Sequence, residues 1–362
     1  MTTTTLLSIF ALFLFFLVIF YVSKTIELSA IAKNGQKKDY IKATKVNAYM
    51  AMFFYIVGMF LLFLTTTSLA PRLLPESASV HGDKLDEMFD ITLYITTAVF
   101  ILTQSLLFFF VYFYRYDKNR TSYFFPHSNK LEMVWTIVPA VVLVFLVFKG
   151  IGVWKDLFDF SKLEGKDPIV FEVTGKQFTW IVRYPGADGK LGEREISEEN
   201  INDFNAKYNL PNELGILWEN KESQDDVYPN DIYLVKDRPV LVKLGALDVI
   251  HSFYLPHFRV KMDCVPGLPT QFMFTPKYTT AEFKERLKNK KFWRDIDPKT
   301  GEARWKNFKY ELACAELCGK SHYGMQKNVV VVTQAEYDAW LKEQVPMYKT
   351  VVKDAMAKVD KK

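Results

Sequence analysis

Tyr310-Glu-Leu-Ala-Cys-Ala-Glu-Leu-Cys-Gly-Lys-Ser-His-Tyr-Gly-Met325 gathers two of the chain's three cysteines, Cys314 and Cys318. His322 follows four residues on and Met325 three beyond that. Two thiolates, an imidazole and a thioether form the soft donor set that suits copper. The three residues between the cysteines leave room for a loop that turns both sulfurs to one point. A mononuclear blue-copper site would use one Cys, two His and a Met; a second Cys lets both sulfurs bridge two metals. Two metals need a second imidazole. Of the other histidines (His81, His127, His251, His257), only His251 sits in a strand-like run, 240–253, where a β scaffold can hold it. A disulfide in an oxidising compartment, or half of a zinc site, also fits the cysteine pair on spacing alone.

Apolar residues make up 49 % of the 362 positions and charged residues 24 %, a mixture that points to segregated membrane and soluble parts. The order of residues bears this out. Four apolar runs, 6–22, 46–69, 91–114 and 133–153, each span or nearly span a hydrocarbon core of ~30 Å as a helix. The first is short enough to rival a cleaved signal peptide. No basic residue precedes it and no convincing small-x-small pattern follows, so the expectation is a retained helix. Basic residues set the orientation. Lys24, Lys33, Lys37, Lys38, Lys42 and Lys45 follow the first run, and Arg115, Lys118, Arg120 and Lys130 lie between the third and fourth. Only Arg72 and Lys84 lie between the second and third. Both basic loops are therefore expected in the cytoplasm, and everything after the fourth run outside it. A net charge of +5, scattered along the chain, does not argue for nucleic acid. Cys264 stands alone, so there is no disulfide framework.

Beyond residue 155 short alternating runs take over (169–173, 178–184, 232–235, 240–244, 271–274, 329–332), separated by Gly, Pro and Asp clusters. They read as an all-β sandwich or barrel. Two insertions interrupt them. Residues 193–231 carry eleven acidic side chains against three basic ones. Residues 284–309 are mostly basic and hold Trp293 and Trp305. The end of the chain has helical spacing around Tyr337, Trp340 and Leu341, then a charged stretch expected in solvent.

The pattern Cys-x-Glu-x-Cys-Gly-x-x-His-x-x-Met, preceded by Asp248-Val-Ile-His-Ser-Phe253, resembles the binuclear CuA site of cytochrome c oxidase subunit II, over roughly residues 90–340. The stretch Leu131-Glu-Met-Val-Trp-Thr-Ile-Val-Pro-Ala140 is similar to the start of that family's second helix. The resemblance implies N-terminal transmembrane α-helices followed by an all-β cupredoxin-like Greek-key barrel. The expected domains are an added membrane hairpin (1–70), the family's own hairpin (71–154), an extracytoplasmic CuA domain with both insertions (155–345) and a charged tail (346–362). The added hairpin reads as an anchor or as a contact surface for another membrane subunit, with Gly58 allowing close packing.

By the same resemblance, Cys314 and Cys318 bridge two coppers. His251 and Met325 complete one, and His322 with the backbone carbonyl of Glu316 completes the other. The Glu316 side chain would reach a magnesium or manganese ion shared with subunit I, which suits a hard oxygen donor. Glu132 corresponds to a carboxylate at the mouth of a proton path, or on position alone to an interfacial acid in water. Phe178 and Trp180 stand where the family links an aromatic to the arrival of electrons. Phenylalanine departs from the common tryptophan there, and Trp180 fits a β-core position equally. Asp248 reads as a hydrogen-bond partner of His251 or as an ordinary strand-end aspartate. Cys264 reads as a small buried thiol.

No Cys-x-x-Cys-His occurs, so no attached c-type heme is expected in this chain. Electrons would come from cytochrome c or a c-heme-bearing partner. Asp225, Asp226 and Asp231 in the acidic insertion are candidates to steer it. The implied setting is a bacterial cytoplasmic membrane, with the domain on the periplasmic face and subunit I among the partners. A quinol-oxidase homologue should lack the copper ligands, and a nitrous oxide reductase should lack the membrane runs. A nitric oxide reductase with a CuA-bearing small subunit is the remaining alternative.

Overall fold

The structure, a computed structural model, describes residues 3–34 and 40–359. Lys37 and Lys38 of the first basic loop, and the last three residues, lie outside it. Four long helices come first: α1 (Thr3–Asn34), α2 (Tyr40–Leu73), α3 (Gly82–Phe113) and α4 (Asn129–Leu157). All four are long and apolar enough to cross a bilayer. The chain divides into two units, Met1–Leu73 with Tyr94–Trp135, and Leu74–Leu93 with Thr136–Lys362.

Aromatic contacts hold the first unit together. Phe16 of α1 meets Phe54 of α2 at 5.8 Å between ring centroids. Tyr49 and Tyr55 of α2 pack on Tyr112 and Phe108 of α3. Tyr55 also shares a hydrogen bond of 2.6 Å with Ser105. The added hairpin thus packs through rings and through the half-buried Tyr55–Ser105 bond. A Cβ at Gly58 would meet nothing within 4 Å, so that glycine does not mark a close helix contact.

The second unit is a sandwich of two sheets. One has the order β2-β1-β4-β7, from β1 (Ile169–Lys176), β2 (Thr179–Arg183), β4 (Val240–Ala246) and β7 (Thr270–Phe274). The other has the order β3-β9-β8-β5-β6, from β3 (Ile232–Val235), β5 (His251–Leu255), β6 (Val260–Cys264), β8 (Tyr310–Cys314) and β9 (Gln326–Val332). β1 with β4 and β3 with β9 run parallel, while the remaining neighbours are antiparallel. Alternate residues turn inward, so Phe171, Val173, Trp180, Leu234, Val242, Leu244, Phe253, Leu312 and Val331 form one buried core.

Three features depart from the sequence reading. The run 240–253 is not one strand. It breaks at 247–250, with β4 in one sheet and β5 in the other, because Asp248 accepts the backbone N–H groups of Val249 (2.7 Å) and Gln177 (2.7 Å) and turns the chain. The acidic insertion carries its own helix α5 (Glu198–Tyr208), and the stretch expected in solvent after residue 346 covers it. Val352 is fully buried with Phe204, Tyr208, Ile216 and Trp218, giving a second, smaller core. The basic insertion folds as α6 (Thr280–Leu287) and α7 (Lys291–Arg294), with Trp293 and Trp305 packed on the main core. Helix α8 (Gln334–Glu343), capped by Thr333 and Glu336, matches its expected spacing, and α9 (Lys353–Val359) closes the described chain.

Residues 74–93 belong to the β-rich unit. Ala78 N–H donates to His257 O (2.6 Å), Ser79 Oγ to Phe258 O (2.6 Å), and Arg259 clamps Asp86 (2.6 and 2.9 Å). A fragment beginning at residue 155 would expose Ala78 and Ser79 contacts that are completely buried here.

Candidate metal centre

The β8–β9 connection and the first residue of β5 bring the soft donors to one end of the sandwich. Cys314 closes β8 opposite Phe253, and His251 opens β5 two residues away on the same face. The loop then winds back on itself. His322 N–H donates to Gly319 O and Met325 N–H to His322 O, both at 3.2 Å, and Gly319 takes φ +133, where a side chain would be strained. A Cβ at Gly319 would also strike the Phe178 ring at 2.9 Å.

The two sulfurs lie 3.9 Å apart and unbonded, with both cysteines free. His251 Nδ1 stands 3.9 Å from the Cys314 sulfur and His322 Nδ1 3.6 Å from that of Cys318. Met325 Sδ is 3.9 Å from Cys318, and the Glu316 carbonyl accepts from Cys314 Sγ at 3.2 Å. The donor atoms of His251, Cys314 and Cys318 all fall within 4.8 Å of one another. Two thiols and two imidazoles aimed at one buried spot, with a thioether and a carbonyl beside them, fit a soft metal; an unbonded sulfur pair at this separation does not fit a disulfide. Burial pushes the Cys318 thiol up to about 11, with the neighbouring Cys314 adding to it, so metal binding there must displace a proton.

Neighbours fix the ligands. Asp248 Oδ1 accepts from His251 Nε2 at 2.8 Å, leaving Nδ1 turned to the sulfur. Burial pushes the Asp248 carboxyl up, but the bonds from Gln177 N–H, His251 and Val249 N–H outweigh it and hold it below its ordinary value. Trp180 is buried, its indole N–H donating to Met325 O at 3.2 Å and its ring 5.9 Å from that of His251. Gln177 donates its side-chain amide to Cys318 O at 2.6 Å. Phe178, 37 % exposed, lies at the rim against Gly319. Cys264 is wholly buried directly across the ladder from His251, and burial raises its thiol to about 12.

Glu316 presents its side chain to solvent. Glu132 is exposed in the first turn of α4, in the other unit. Two contributors went unread in the sequence. Gly175 of β1 lies flat on the His251 ring, where a Cβ would come within 2.7 Å of Cδ2. A glycine inside a strand pattern was the available signal. Gln177, a polar residue between β1 and β2 with no local signal, is the loop's tether.

Membrane-length helices joined to a cupredoxin-type sandwich, with thiols and imidazoles gathered at one end, define a membrane-anchored protein with a candidate metal site. Comparison makes that class specific. The family model for the cytochrome C oxidase subunit II transmembrane domain matches residues 65–153, and that for its periplasmic domain matches residues 169–283. The alternative cytochrome c oxidase subunit 2 of Bradyrhizobium diazoefficiens is 30 % identical over 262 residues, covering 72 % of this chain and 80 % of that one. Cytochrome c oxidase subunit 2 of Thermostichus vulcanus is 25 % identical, covering 75 % and 78 %. The solved periplasmic domain of subunit II of cytochrome oxidase from Bradyrhizobium japonicum is 24 % identical over 49 % of this chain and 93 % of that chain, at a TM-score of 0.29. The chain belongs to the cytochrome c oxidase subunit II family, whose members are part of an oxidoreductase complex. The matched periplasmic segment includes His251 but stops before residues 314–325, so the donors of that loop rest on their own geometry.

Proposed function

We propose that this chain is the electron-accepting subunit of a respiratory, proton-pumping heme–copper oxidase in a bacterial cytoplasmic membrane. It takes electrons from cytochrome c or a c-heme-bearing partner and passes them to heme in subunit I, where oxygen is reduced. The observation that carries this reading is the pair of unbonded thiols 3.9 Å apart, each backed by an imidazole nitrogen. Bound there, a binuclear copper centre would supply one-electron chemistry with the electron shared over both metals.

The chain's own residues would do the rest. Cys314 and Cys318 would hold the metals as thiolates, with His251, Met325, His322 and the Glu316 carbonyl as the remaining donors. Asp248 locks the His251 ring, and burial of His251, Cys314, Cys318 and Met325 excludes water, which limits rearrangement on electron transfer. Phe178 at the rim and Trp180 beneath it are the proposed points of electron arrival. Leu317 and Tyr323, 80 % and 84 % exposed, flank the exposed Glu316 on the ligand loop. Uncovered apolar groups around an uncovered carboxylate support seating on subunit I, with Glu316 reaching a magnesium or manganese ion between the two chains. Glu132 is the proposed mouth of a proton path.

The test uses the full chain in detergent. After copper loading, metal analysis should give two coppers per chain and the EPR hyperfine pattern should spread over both nuclei. Cys318→Ser should abolish that pattern. One copper per wild-type chain, or zinc alone, would refute the assignment.

A further inference from the structure

At the outer ends of α3 and α4, the membrane-proximal face of the β-rich unit carries lysines that the metal chemistry does not use. Two adjoining clefts, of about 250 and 530 Å³, share Lys84, Asp156 and Lys162. Lys84 and Lys162 both bind the one carboxylate of Asp156. Lys149 on one wall pairs with Glu87 at 2.6 Å. Lys155 and Lys166, also on the walls, have no ion-pair partner among the described residues, and Asp159 is engaged by Ser161 Oγ at 2.5 Å. Five ammonium groups (Lys84, Lys149, Lys155, Lys162, Lys166) therefore face three carboxylates (Glu87, Asp156, Asp159), an excess of two positive charges. His81 lines the same place, its Nδ1 buried without a partner.

The position of this excess is informative. The apolar run of α4 ends at Val153, so Lys149 and Lys155 straddle the level at which hydrocarbon gives way to headgroups. A Cβ at Gly152, on the cleft wall, would meet nothing within 4 Å, and Phe148 and Ile151 below it are exposed. The cleft is thus cationic at its water end and continuous with uncovered apolar helix surface at its membrane end. We propose that it holds the phosphodiester headgroup of an anionic phospholipid from the outer leaflet, of the phosphatidylglycerol type, with an acyl chain laid along α4. Lys155 and Lys166 would take the phosphate oxygens left over by the internal ion pairs.

The oxidase complex containing this chain should be purified in mild detergent, offered phosphatidylglycerol or phosphatidylcholine, and examined for retained lipid by native mass spectrometry. Phosphatidylglycerol should be retained in preference, and Lys155→Gln with Lys166→Gln should weaken retention by roughly fivefold per lysine. Arginine at both positions should keep it, and copper content should match wild type throughout. Equal retention of the two lipids by the wild-type complex would overturn the proposal whatever the variants do. So would displacement of the lipid by millimolar inorganic phosphate, which would make this a free-anion site. Cross-linking of Lys155 or Lys166 to another subunit in the lipid-free complex would overturn it too.

Discussion

Asp248 shows how much of the centre depends on a side chain that offers no ligand. Its carboxylate holds the His251 ring at 2.8 Å while accepting two backbone N–H groups, so it fixes both the imidazole and the break between β4 and β5. Replacing Asp248 by Asn keeps the size but removes the charge that orients the ring. Copper affinity should fall about 10–100-fold, read by competition with a chelator of known affinity, while the fold stays intact. An unchanged affinity would make Asp248 a turn residue only. At this scale the sequence was most informative where candidate donors are local: Cys314, Cys318, His322 and Met325 stand within twelve consecutive residues, and their side chains do come together, while the Glu316 carbonyl entered only through the family resemblance. Gly175 was not legible, because its role is an absence of atoms beneath a ring brought there by a different strand.

Two histidines outside the centre lock the segments that join the β-rich unit to its helices. His257 lies in the turn after β5, its ring edge-on to Phe308 (5.0 Å) and Phe283 (5.6 Å). His81 starts the approach to α3 and packs on Phe272. Burial lowers both from the ordinary histidine range to about 4. A lowered folded pKa favours the neutral form, so this stability is complete above about 6.5 and is lost as pH falls towards 4. Asp226, pushed up to about 7 by burial despite Arg183, works in the opposite sense, losing stability as pH rises. In acid unfolding followed by circular dichroism, His257→Gln should therefore show a limb shallower than wild type by about 2–3 kcal/mol between pH 6.5 and 4. A parallel limb would contradict the buried neutral imidazole. Elements with strong alternation, such as β1, β3 and β9, were legible in advance. The second core was not: its two halves, around Trp218 and Val352, are separated by most of the domain, and each alone reads as polar chain.

For the whole molecule, the acidic insertion turns out to have two faces. Asp226 points inward, bound to Arg183 at 2.8 Å and fully buried, and Arg183 also holds Glu172. It is therefore no landing point for a partner, which corrects the sequence expectation; one buried cation needed a carboxylate, and the acidic stretch supplied it. Glu195, Glu199 and Asp203 remain exposed, and Lys176 ties Glu213 to the strand end beside Gln177 and Phe178. Neutralising those three exposed acids should slow association with a basic cytochrome at low salt by several-fold, with the difference fading as salt rises. Stopped-flow rates independent of these charges would exclude the insertion as a steering surface. The placement of the donors along the chain has one more outcome. His322 lies four residues from its nearest sulfur, whereas His251 lies 63 residues from Cys314. A metal joining both ends of that longer span works as a covalent staple does, removing chain entropy from the unfolded ensemble, about 4 kcal/mol for a closure of this length. Losing His251 should therefore lower the melting temperature of the copper-loaded protein more than losing His322, although each removes a single imidazole. The proposed centre would then also fasten the start of β5 to the end of β8 across 63 residues.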